Sequence, residues 1–253
     1  MQVVLSKRMQ AVADMITPGR RCVCDVGCDH GYVSIYLVQQ KISRKVLASD
    51  VRKGPLEQAR THILEAGLGD YIETRLSDGL SRIEPGACDA MICAGMGGKL
   101  MAQILANGIE TAAGMEELVL QPQSDLEFFR GWLYDHHFVI VAEDMVLEEG
   151  KYYPMMKVQA GIPPAVQGER LAQKYGPCLL ENKNGTLVQY LLRQRKLQQE
   201  IYGQVAEKAA GTSDAQARRE MRLQQIRQEL EDSAAALEKL GYSNNICYEK
   251  EPT

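Results

Sequence analysis

The sequence predicts an α/β fold, in which a mostly parallel sheet carries helices on both faces and a separate helical segment follows. Three observations predict it. Apolar runs of strand length alternate with helical patterns from residue 5 to residue 135. The apolar segment 138–161 contains one turn signal, Glu149-Gly150, so its two halves should pair as an antiparallel hairpin. Beyond residue 162 the composition shifts to Gln, Arg, Leu, Glu and Ala.

Each element of the sheet region has its own signal. The strands are short apolar runs or alternating segments: RCVCDV (21–26), VLASD (46–50), YIETRL (71–76), CDAMIC (88–93) and ELVLQ (117–121). The helices are predicted at 5–16, after the glycine turn at 27–31, and at 55–66, 99–108 and 125–135. Pro18 and Gly19 end the first helix, and Pro55 suits the first turn of its own helix.

The sequence IPP at 162–164 marks a predicted boundary between two domains. We expect residues 1–162 to form the α/β domain and residues 163–253 to form a helical hairpin, or coiled-coil, domain. Narrow apolar stripes at 190–205 and 223–237 predict its two helices, with Gly211 between them. Such stripes can close on each other or on another chain, so the oligomeric state stays open, with a monomer favoured.

Charge is distributed unevenly along the chain. The formal net charge is -4, which excludes a uniformly basic nucleic-acid binder. Residues 164–227, however, hold 11 Lys and Arg against six Asp and Glu, a net charge of +5. A basic segment beside an acidic body suggests a polyanionic partner for that segment. Charge alone, however, favours a solvated helical face over such a partner.

Cysteine usage and hydropathy indicate a cytoplasmic protein. The seven cysteines include no C-x-x-C pair, and several lie inside apolar runs, as expected in a reducing compartment. Cys24, Cys28 and His30 lack a recognised ligand spacing, so no metal is predicted. The N-terminus has no signal-peptide core, and no apolar run approaches the ~20 residues that span a bilayer. No membrane partner is therefore expected.

Polar residues and glycines follow the first predicted strand, where ligands of open α/β sheets bind. The predicted cofactor residues of this turn are Asp25, Gly27, Asp29, His30 and Gly31. The spacing is D-x-G-x-x-x-G, whereas dinucleotide-binding enzymes use G-x-G-x-x-G to seat a pyrophosphate. A carboxylate such as Asp29 would repel a pyrophosphate but attract the sulfonium or amino group of S-adenosylmethionine.

The next strand ends carry further candidates. Asp50 suits ribose hydroxyls, and Asp78 suits an adenine amino group with Leu80 against the ring. The other predicted cofactor residues are Ser77, Gly79, Ala94, Gly95, Met96 and Gly97. Gln121 and Gln123 offer amides to a planar heterocycle. Each feature alone is most often a turn or a cap, but together with the terminal hairpin they predict a Rossmann-like class I methyltransferase, and they disfavour a nicotinamide dehydrogenase.

Several longer motifs resemble one bacterial family. They are LSKRM (5–9), DVGCDHGYVSIYLV (25–38), SDVRKGPLEQA (49–59), SDGL (77–80), AGMGG (94–98), LQPQSD (120–125) and KYGPCLL (174–180). The combination resembles the bacterial tRNA (adenine-22-N1)-methyltransferase family from about residue 2 to about residue 230. Many methyltransferases share D-x-G-x-D-x-G, whereas DVGCDHGY with AGMGG and QPQ is much more specific.

The resemblance implies an S-adenosylmethionine-dependent enzyme that methylates N1 of adenine 22 in tRNA. It also implies a coiled-coil C-terminal domain that helps to hold tRNA, in keeping with the basic segment. The predicted tRNA-contacting cations are Arg193, Arg195, Lys196, Arg218, Arg219 and Arg222. Lys7 and Arg8 are further candidates on the cofactor side.

A methyl transfer to adenine N1 needs positioning more than covalent catalysis, because the nitrogen lone pair is the nucleophile. The enzyme must also take the base out of its stack. Asp29 is the candidate catalytic residue, since a carboxylate there would stabilise charge or accept a proton. Its competing role is to bind the amino group of the cofactor. A methyltransferase for small molecules and a non-catalytic adaptor are the alternative functions.

Overall fold

The computed structural model describes residues 2–207 and 213–242. Within them the chain forms two compact units that divide between Cys178 and Leu179. Gly211, predicted to separate two helices, and Cys247, one of the seven cysteines, lie outside the described residues.

The first unit is built around a sheet. Its strands are β1 Arg20–Val26, β2 Ser43–Asp50, β3 Ile72–Leu76, β4 Ala90–Met96, β5 Glu117–Pro122, β6 Phe138–Glu148 and β7 Lys151–Ala160. Its helices are α1 Lys7–Asp14, α2 Tyr32–Gln39, α3 Lys53–Glu65, α4 Gly98–Asn107, α5 Ile109–Ala113, α6 Leu126–Asp135 and α7 Arg170–Tyr175, with a 3₁₀ turn at Ala165–Gly168. The division between the units falls within helix α8, Pro177–Glu181.

The strand order is β3-β2-β1-β4-β5-β7-β6. The first five strands are parallel, whereas β7 runs antiparallel to both β5 and β6. Glu148 pairs with Lys151 across a two-residue turn, in which Glu149 and Gly150 both have positive φ, 48° and 75°. Positive φ at both positions matches the twist of a tight hairpin. The predicted α/β sheet with its terminal antiparallel hairpin is confirmed.

Apolar side chains bury both faces of the sheet, as its parallel part requires. One face carries Cys24, Met91 and Leu118 in a cluster that includes residues of α4 and α6. The other face carries Val23 and Ile92 in a cluster that includes residues of α1, α2 and α3. The strands are therefore held rigidly, and the turns at their carboxyl ends are presented from a fixed base.

The segment after the predicted boundary at 162 packs on the sheet unit. The side-chain amide of Gln167 accepts from the backbone N–H of Ile140 at 3.1 Å and donates to its carbonyl oxygen at 2.8 Å. Arg130 of α6 donates to the carbonyl oxygens of Gln173 and Lys174, at 3.0 and 3.2 Å, and to the carboxylate of Glu143. These buried bonds explain why the compact unit extends sixteen residues beyond the predicted boundary.

The second unit contains α9, Gly185–Glu207, and α10, Ser213–Lys239. The two helices run antiparallel. Arg195 of α9 contacts Leu230 of α10, and Tyr202, further along α9, contacts Arg227, which comes earlier in α10. The buried positions are Leu187, Val188, Leu191, Arg195, Ile226, Leu230, Asp232, Ser233, Ala236 and Leu237. The α9 face centred on Leu191 is thus more buried than the predicted stripe, in which Leu197 is 47% exposed.

Candidate cofactor and acceptor site

A cavity of about 650 Å³ opens at the carboxyl ends of β1, β2, β3 and β4. We call it the strand-end cavity. Most predicted cofactor residues line it: Asp25, Gly27, Asp29, His30, Asp50, Ser77, Asp78, Gly79, Ala94, Gly95 and Met96. Arg8 and Gln123, predicted on the substrate side, line it as well. The structure therefore brings residues from six separate segments to one place.

The turn after β1 forms the floor of this cavity. The backbone N–H groups of Gly27 and Cys28 donate to the carbonyl oxygen of Ser49, at 2.8 and 2.9 Å, which joins the turn to β2. Gly27 has φ of 77°, and a Cβ there would lie 2.2 Å from Cε of Met96. The positive φ favours glycine, and the absence of a side chain there leaves room for the end of Met96 to pack over the turn.

Asp25 is a buried carboxylate at the base of the cavity, with 3% of its surface exposed. Its Oδ2 accepts from the hydroxyl of Ser34 at 2.6 Å. Burial raises the pKa of Asp25 to about 6, against the opposing effect of Ser34, and the nearby Asp50 charge adds to the rise. A cationic group in the cavity would reverse this effect, because an opposite charge favours the carboxylate.

Asp50 ends β2 and ties two turns together. Its Oδ1 accepts from the backbone N–H of Arg52 at 2.8 Å, and its Oδ2 lies 3.4 Å from the backbone nitrogen of Asp29. The carboxylate is 4% exposed, so its orientation is fixed by these backbone donors. Asp50 thereby holds the turn after β1 in register with the turn after β2.

Asp29 lies at the open side of the cavity in the left-handed backbone region, with φ of 50°. Its side chain is 59% exposed. Oδ2 is 3.5 Å from Nε2 of His30, and Oδ1 is 3.8 Å from a guanidinium nitrogen of Arg52. Sequence reasoning missed Arg52, although its position two residues after the acidic end of β2 places it on the same edge.

Arg8 of α1 forms the opposite wall together with the hairpin. Its guanidinium donates to Oε1 of Gln121 at 3.1 Å and lies 4.9 Å from the centre of the Tyr153 ring. Its backbone N–H donates to Oε1 of Glu148 at 3.1 Å. Gln121 is fully buried and does not line the cavity, so its amide positions Arg8 instead of facing a ligand directly.

Three predicted cofactor residues also lie outside the cavity lining. Leu80 is 3% exposed and packs in the apolar core, where a Cβ on Gly108 would lie 2.5 Å from its own Cβ. Gly31 directly precedes α2, and a Cβ on it would lie only 3.0 Å from Cβ of Ala59. Glycine at this position therefore allows the start of α2 to approach α3 closely. Gly97 precedes α4 close to Ser124. These residues shape the supporting elements.

Several apolar residues that sequence reasoning missed line the cavity, whereas Leu80 does not. Val51, Leu100 and Ile104 line the cavity, and Val51 and Leu100 are 60% and 50% exposed. Tyr32 also lines it and stacks on His62, with ring centres 4.8 Å apart. The available signal was position: Val51 directly follows the last residue of β2, and Tyr32 begins α2.

The predicted tRNA-contacting cations of the second unit are not equivalent. Arg193, Lys196, Arg218 and Arg222 are exposed. Arg195 is a correction to the predicted set, because it is 4% exposed and donates to the Leu230 carbonyl oxygen at 2.7 Å and to Oγ of Ser233 at 3.2 Å. Arg219 is half-buried and donates to the carbonyl oxygens of Val205 and Ala206.

Two further properties concern the described residues, 2–207 and 213–242. They contain no group of three or more His, Cys, Asp or Glu side chains arranged to hold a metal ion. None of their helices combines the length and the apolar character needed to cross a bilayer.

Comparison with known proteins gives the site a context. A family model described as a methyltransferase domain matches residues 5–156. The tRNA (adenine(22)-N(1))-methyltransferase of Bacillus subtilis is 33% identical over 223 residues, which cover 87% of this chain and 93% of that protein.

Solved structures agree with the sequence matches. The crystal structure of the B. subtilis m1A22 tRNA methyltransferase TrmK has a TM-score of 0.80 at 31% identity, and the match covers 93% of this chain and all of that chain. A proposed tRNA (m1A22) methyltransferase of Streptococcus pneumoniae, in complex with S-adenosyl-L-methionine, has a TM-score of 0.75 at 31% identity. That match covers 90% of this chain and 100% of the other. The motifs, the fold and these matches agree, and the chain belongs to the tRNA (adenine(22)-N(1))-methyltransferase family.

Proposed function

We propose that this chain methylates N1 of adenine 22 in tRNA, with S-adenosylmethionine as the methyl donor. The observation that carries the proposal is the strand-end cavity, in which the carboxylates of Asp25, Asp29 and Asp50 surround a backbone floor. This charge distribution fits a cofactor with a sulfonium and an ammonium group, and it would repel a pyrophosphate. When bound, S-adenosylmethionine supplies an electrophilic methyl group on its sulfonium sulfur.

The residues present fit this cofactor in shape as well as in charge. A Cβ on Gly27 would lie 2.2 Å from Met96 and one on Gly79 would lie 2.9 Å from Ile104, so glycine at both positions lets these lining side chains pack closely against the turns. Asp50 would accept hydrogen bonds from ribose hydroxyls, and Asp78 would accept from the adenine amino group. Val51, with Leu100 and Ile104, supplies apolar surface for the ring.

Arg8 and Gln123 are proposed to orient the acceptor base. A Cβ on Gly95 would lie 3.8 Å from Nε2 of Gln123 and 3.9 Å from a guanidinium nitrogen of Arg8, so all three residues meet at one wall. The missing side chain of Gly95 leaves room for a planar base between this wall and the turn after β1. Donors fixed in advance, as Arg8 is by Gln121, hold a base at little entropic cost.

The exposed cations of α9 and α10 are proposed to contact tRNA phosphates. They are Arg193, Lys196, Arg218 and Arg222. Phosphate contacts supply affinity and make it salt-dependent. We propose that the second compact unit, which begins at Leu179, contributes the RNA-holding part of the chain and that the sheet unit contributes the catalytic part. The monomeric state and the cytoplasmic location stay predictions.

The direct test is to incubate the purified protein with labelled S-adenosylmethionine and unmodified bacterial tRNA, and then to map the labelled nucleotide. We expect label on N1 of adenine 22, and none on a matched tRNA that carries guanine at that position. Cofactor binding without label on either tRNA would overturn the tRNA assignment. A small-molecule acceptor, or a non-catalytic adaptor, would then be the function to test.

Asp29 is proposed to act on the reacting groups, either by stabilising positive charge on the base or by holding the amino group of the cofactor. Asp29→Asn should lower the single-turnover rate at saturating cofactor by on the order of 100-fold, with tRNA affinity within about twofold. Asp70→Asn, in the loop before β3 at the opposite edge, is the control and should leave the rate unchanged.

The two roles of Asp29 separate in the same experiment. A loss of rate at saturating cofactor identifies charge stabilisation, whereas a weaker cofactor dissociation constant with a normal saturated rate identifies cofactor binding. Near-normal turnover with normal cofactor affinity would remove Asp29 from the site.

A further inference from the structure

A pair of thiols lies at the amino-terminal edge of the sheet, away from the strand-end cavity. Cys22 is the third residue of β1, and Cys88 lies two residues before β4. Their sulfur atoms are 3.3 Å apart, although 66 residues separate them in sequence. Neither residue lines the strand-end cavity, and both are free thiols in the structure.

The backbone around the two thiols is clamped. The carboxylate of Asp89 accepts from the backbone N–H groups of Arg21 and Cys22, both at 2.9 Å, and the N–H of Asp89 donates to the Cys22 carbonyl oxygen at 3.0 Å. The Arg21 guanidinium donates to the carbonyl oxygens of Gly86 and Ala87, at 2.9 and 3.2 Å. These hydrogen bonds hold the loop that carries Cys88 against β1, and this backbone arrangement brings the two sulfur atoms close together.

The two thiols differ in accessibility. Cys22 is partly exposed and lines a second cavity, of about 400 Å³, which opens at this edge of the sheet. Cys88 is 2% exposed and packs in the apolar core. A reagent from solvent therefore reaches Cys22 first, and Cys88 lies directly behind it. Arg21 and Arg75 line the cavity, together with the acidic Asp70 and Glu73.

We propose that Cys22 and Cys88 form a redox modification site, at which a low-molecular-weight disulfide converts the two thiols into an intramolecular disulfide. The Cys22 thiolate attacks one sulfur of the small disulfide and releases one small thiolate, which leaves a mixed disulfide on Cys22. The Cys88 thiol gives its proton to solvent, and its sulfur attacks the Cys22 sulfur and releases the second small thiolate. Two protein thiols are oxidised, and one small disulfide is reduced to two thiols.

The surroundings set the rate of this exchange. The hydrogen bond to Cys88 and burial both raise the pKa of Cys22 above its usual range. Since the thiolate is the nucleophile, the exchange is slow at neutral pH and accelerates as the pH rises. The site therefore responds to sustained oxidising conditions more than to a brief pulse of oxidant.

The cross-link would join β1 to the loop before β4 at the edge opposite the cofactor cavity. It would constrain the unfolded chain and leave the residues of the strand-end cavity in place. The oxidised protein should therefore resist unfolding better than the reduced protein, with unchanged affinity for S-adenosylmethionine.

The test uses the full chain, oxidised glutathione at mildly alkaline pH, and alkylation of the remaining thiols before intact mass measurement. We expect two fewer alkylated thiols, a Cys22–Cys88 link in peptide maps, and a Tm raised by several degrees. Cys22→Ala and Cys88→Ala should each abolish the link. Cys24→Ala is the matched control, since Cys24 lies on the same face of β1, and it should keep the link.

Three results would overturn the proposal: a glutathione adduct that persists on Cys22 without resolution, a link that requires Cys24, or a full set of free thiols after prolonged oxidation. Loss of cofactor binding on formation of the link would overturn the inferred separation of the two edges. None of these readouts depends on tRNA methylation, so their failure is distinguishable from failure of the proposed function.

Discussion

Asp25 and Glu117 are both buried carboxylates of the same sheet, but they lie at opposite edges and have different partners. Glu117, the first residue of β5, accepts from the backbone N–H and the hydroxyl of Thr17, both at 2.7 Å. It also pairs with Arg20 at 2.9 Å and Lys157 at 3.1 Å. Asp25, near the end of β1, has the hydroxyl of Ser34 as its side-chain donor.

The two pKa values move in opposite directions for this reason. Burial alone would raise the pKa of Glu117, but the bonds from Arg20, Thr17 and Lys157 outweigh it, and the pKa is lowered. Burial dominates at Asp25, whose pKa is raised to about 6. The buried charge of Glu117 is therefore compensated by two cations and by the donors of Thr17. Asp25 faces the cavity, where a cationic ligand would supply a counter-charge that favours its carboxylate.

The largest expected effect is at the compensated carboxylate of Glu117. Glu117→Ala should lower the free energy of unfolding by about 3–5 kcal/mol, because it leaves Arg20 and Lys157 without their shared buried partner. Glu116→Ala is the matched control, since this neighbour pairs with Arg20 at the surface and should cost about 0–1 kcal/mol. Urea unfolding of the two variants would show this contrast, and equal losses would contradict it.

A smaller effect of opposite sign is expected at Asp25. A raised pKa means that the folded protein loses stability as the pH rises through about 6. Asp25→Asn should therefore raise the free energy of unfolding by about 1–3 kcal/mol at neutral pH and weaken the binding of S-adenosylmethionine. Calorimetric titration and urea unfolding would measure both quantities.

The pH dependence supplies the control for this variant. At about pH 5, below the folded pKa, the difference in stability between Asp25→Asn and the unchanged protein should shrink. A difference that stays constant between about pH 5 and pH 7 would show that the carboxylate charge is not its cause.

The smallest expected effect compares two glycines with the same backbone conformation. Gly27 and Gly86 have φ of 77° and 78°, but a Cβ would meet Met96 at Gly27 and nothing within 4 Å at Gly86. Each change to Ala should cost about 1 kcal/mol of stability. Only Gly27→Ala should also weaken cofactor binding, by about tenfold or 1.4 kcal/mol. Equal cofactor affinities in the two variants would contradict the role of the cavity floor.

Sequence patterns predicted the sheet and the acidic strand ends because both follow from local periodicity. Asp25 and Asp50 close apolar runs, and parallel strands bring such ends to one edge. The burial of Arg195 was not predictable, because it depends on which face of α9 meets α10. The burial of Leu80 was not predictable for a similar reason, because it depends on tertiary packing, including its contact with Gly108.

The segment 163–178 escaped prediction for another reason. Its 3₁₀ turn has four residues and α7 has six. Elements this short do not show a helical period in the sequence. Its attachment depends on Arg130 and Glu143, whose mutual burial is a tertiary property.

The contact of Arg8 with the hairpin has a consequence for synthesis on the ribosome. Arg8 leaves the exit tunnel early, yet its partners Glu148 and Tyr153 lie about 140 residues later in the chain. A nascent fragment that ends after α6 already contains the turns after β1 and β2, together with Arg8 and Gln121, but lacks the hairpin that packs against Arg8. Vectorial synthesis therefore completes the packing around Arg8 last, after all the strands whose carboxyl ends open into the cavity have left the ribosome.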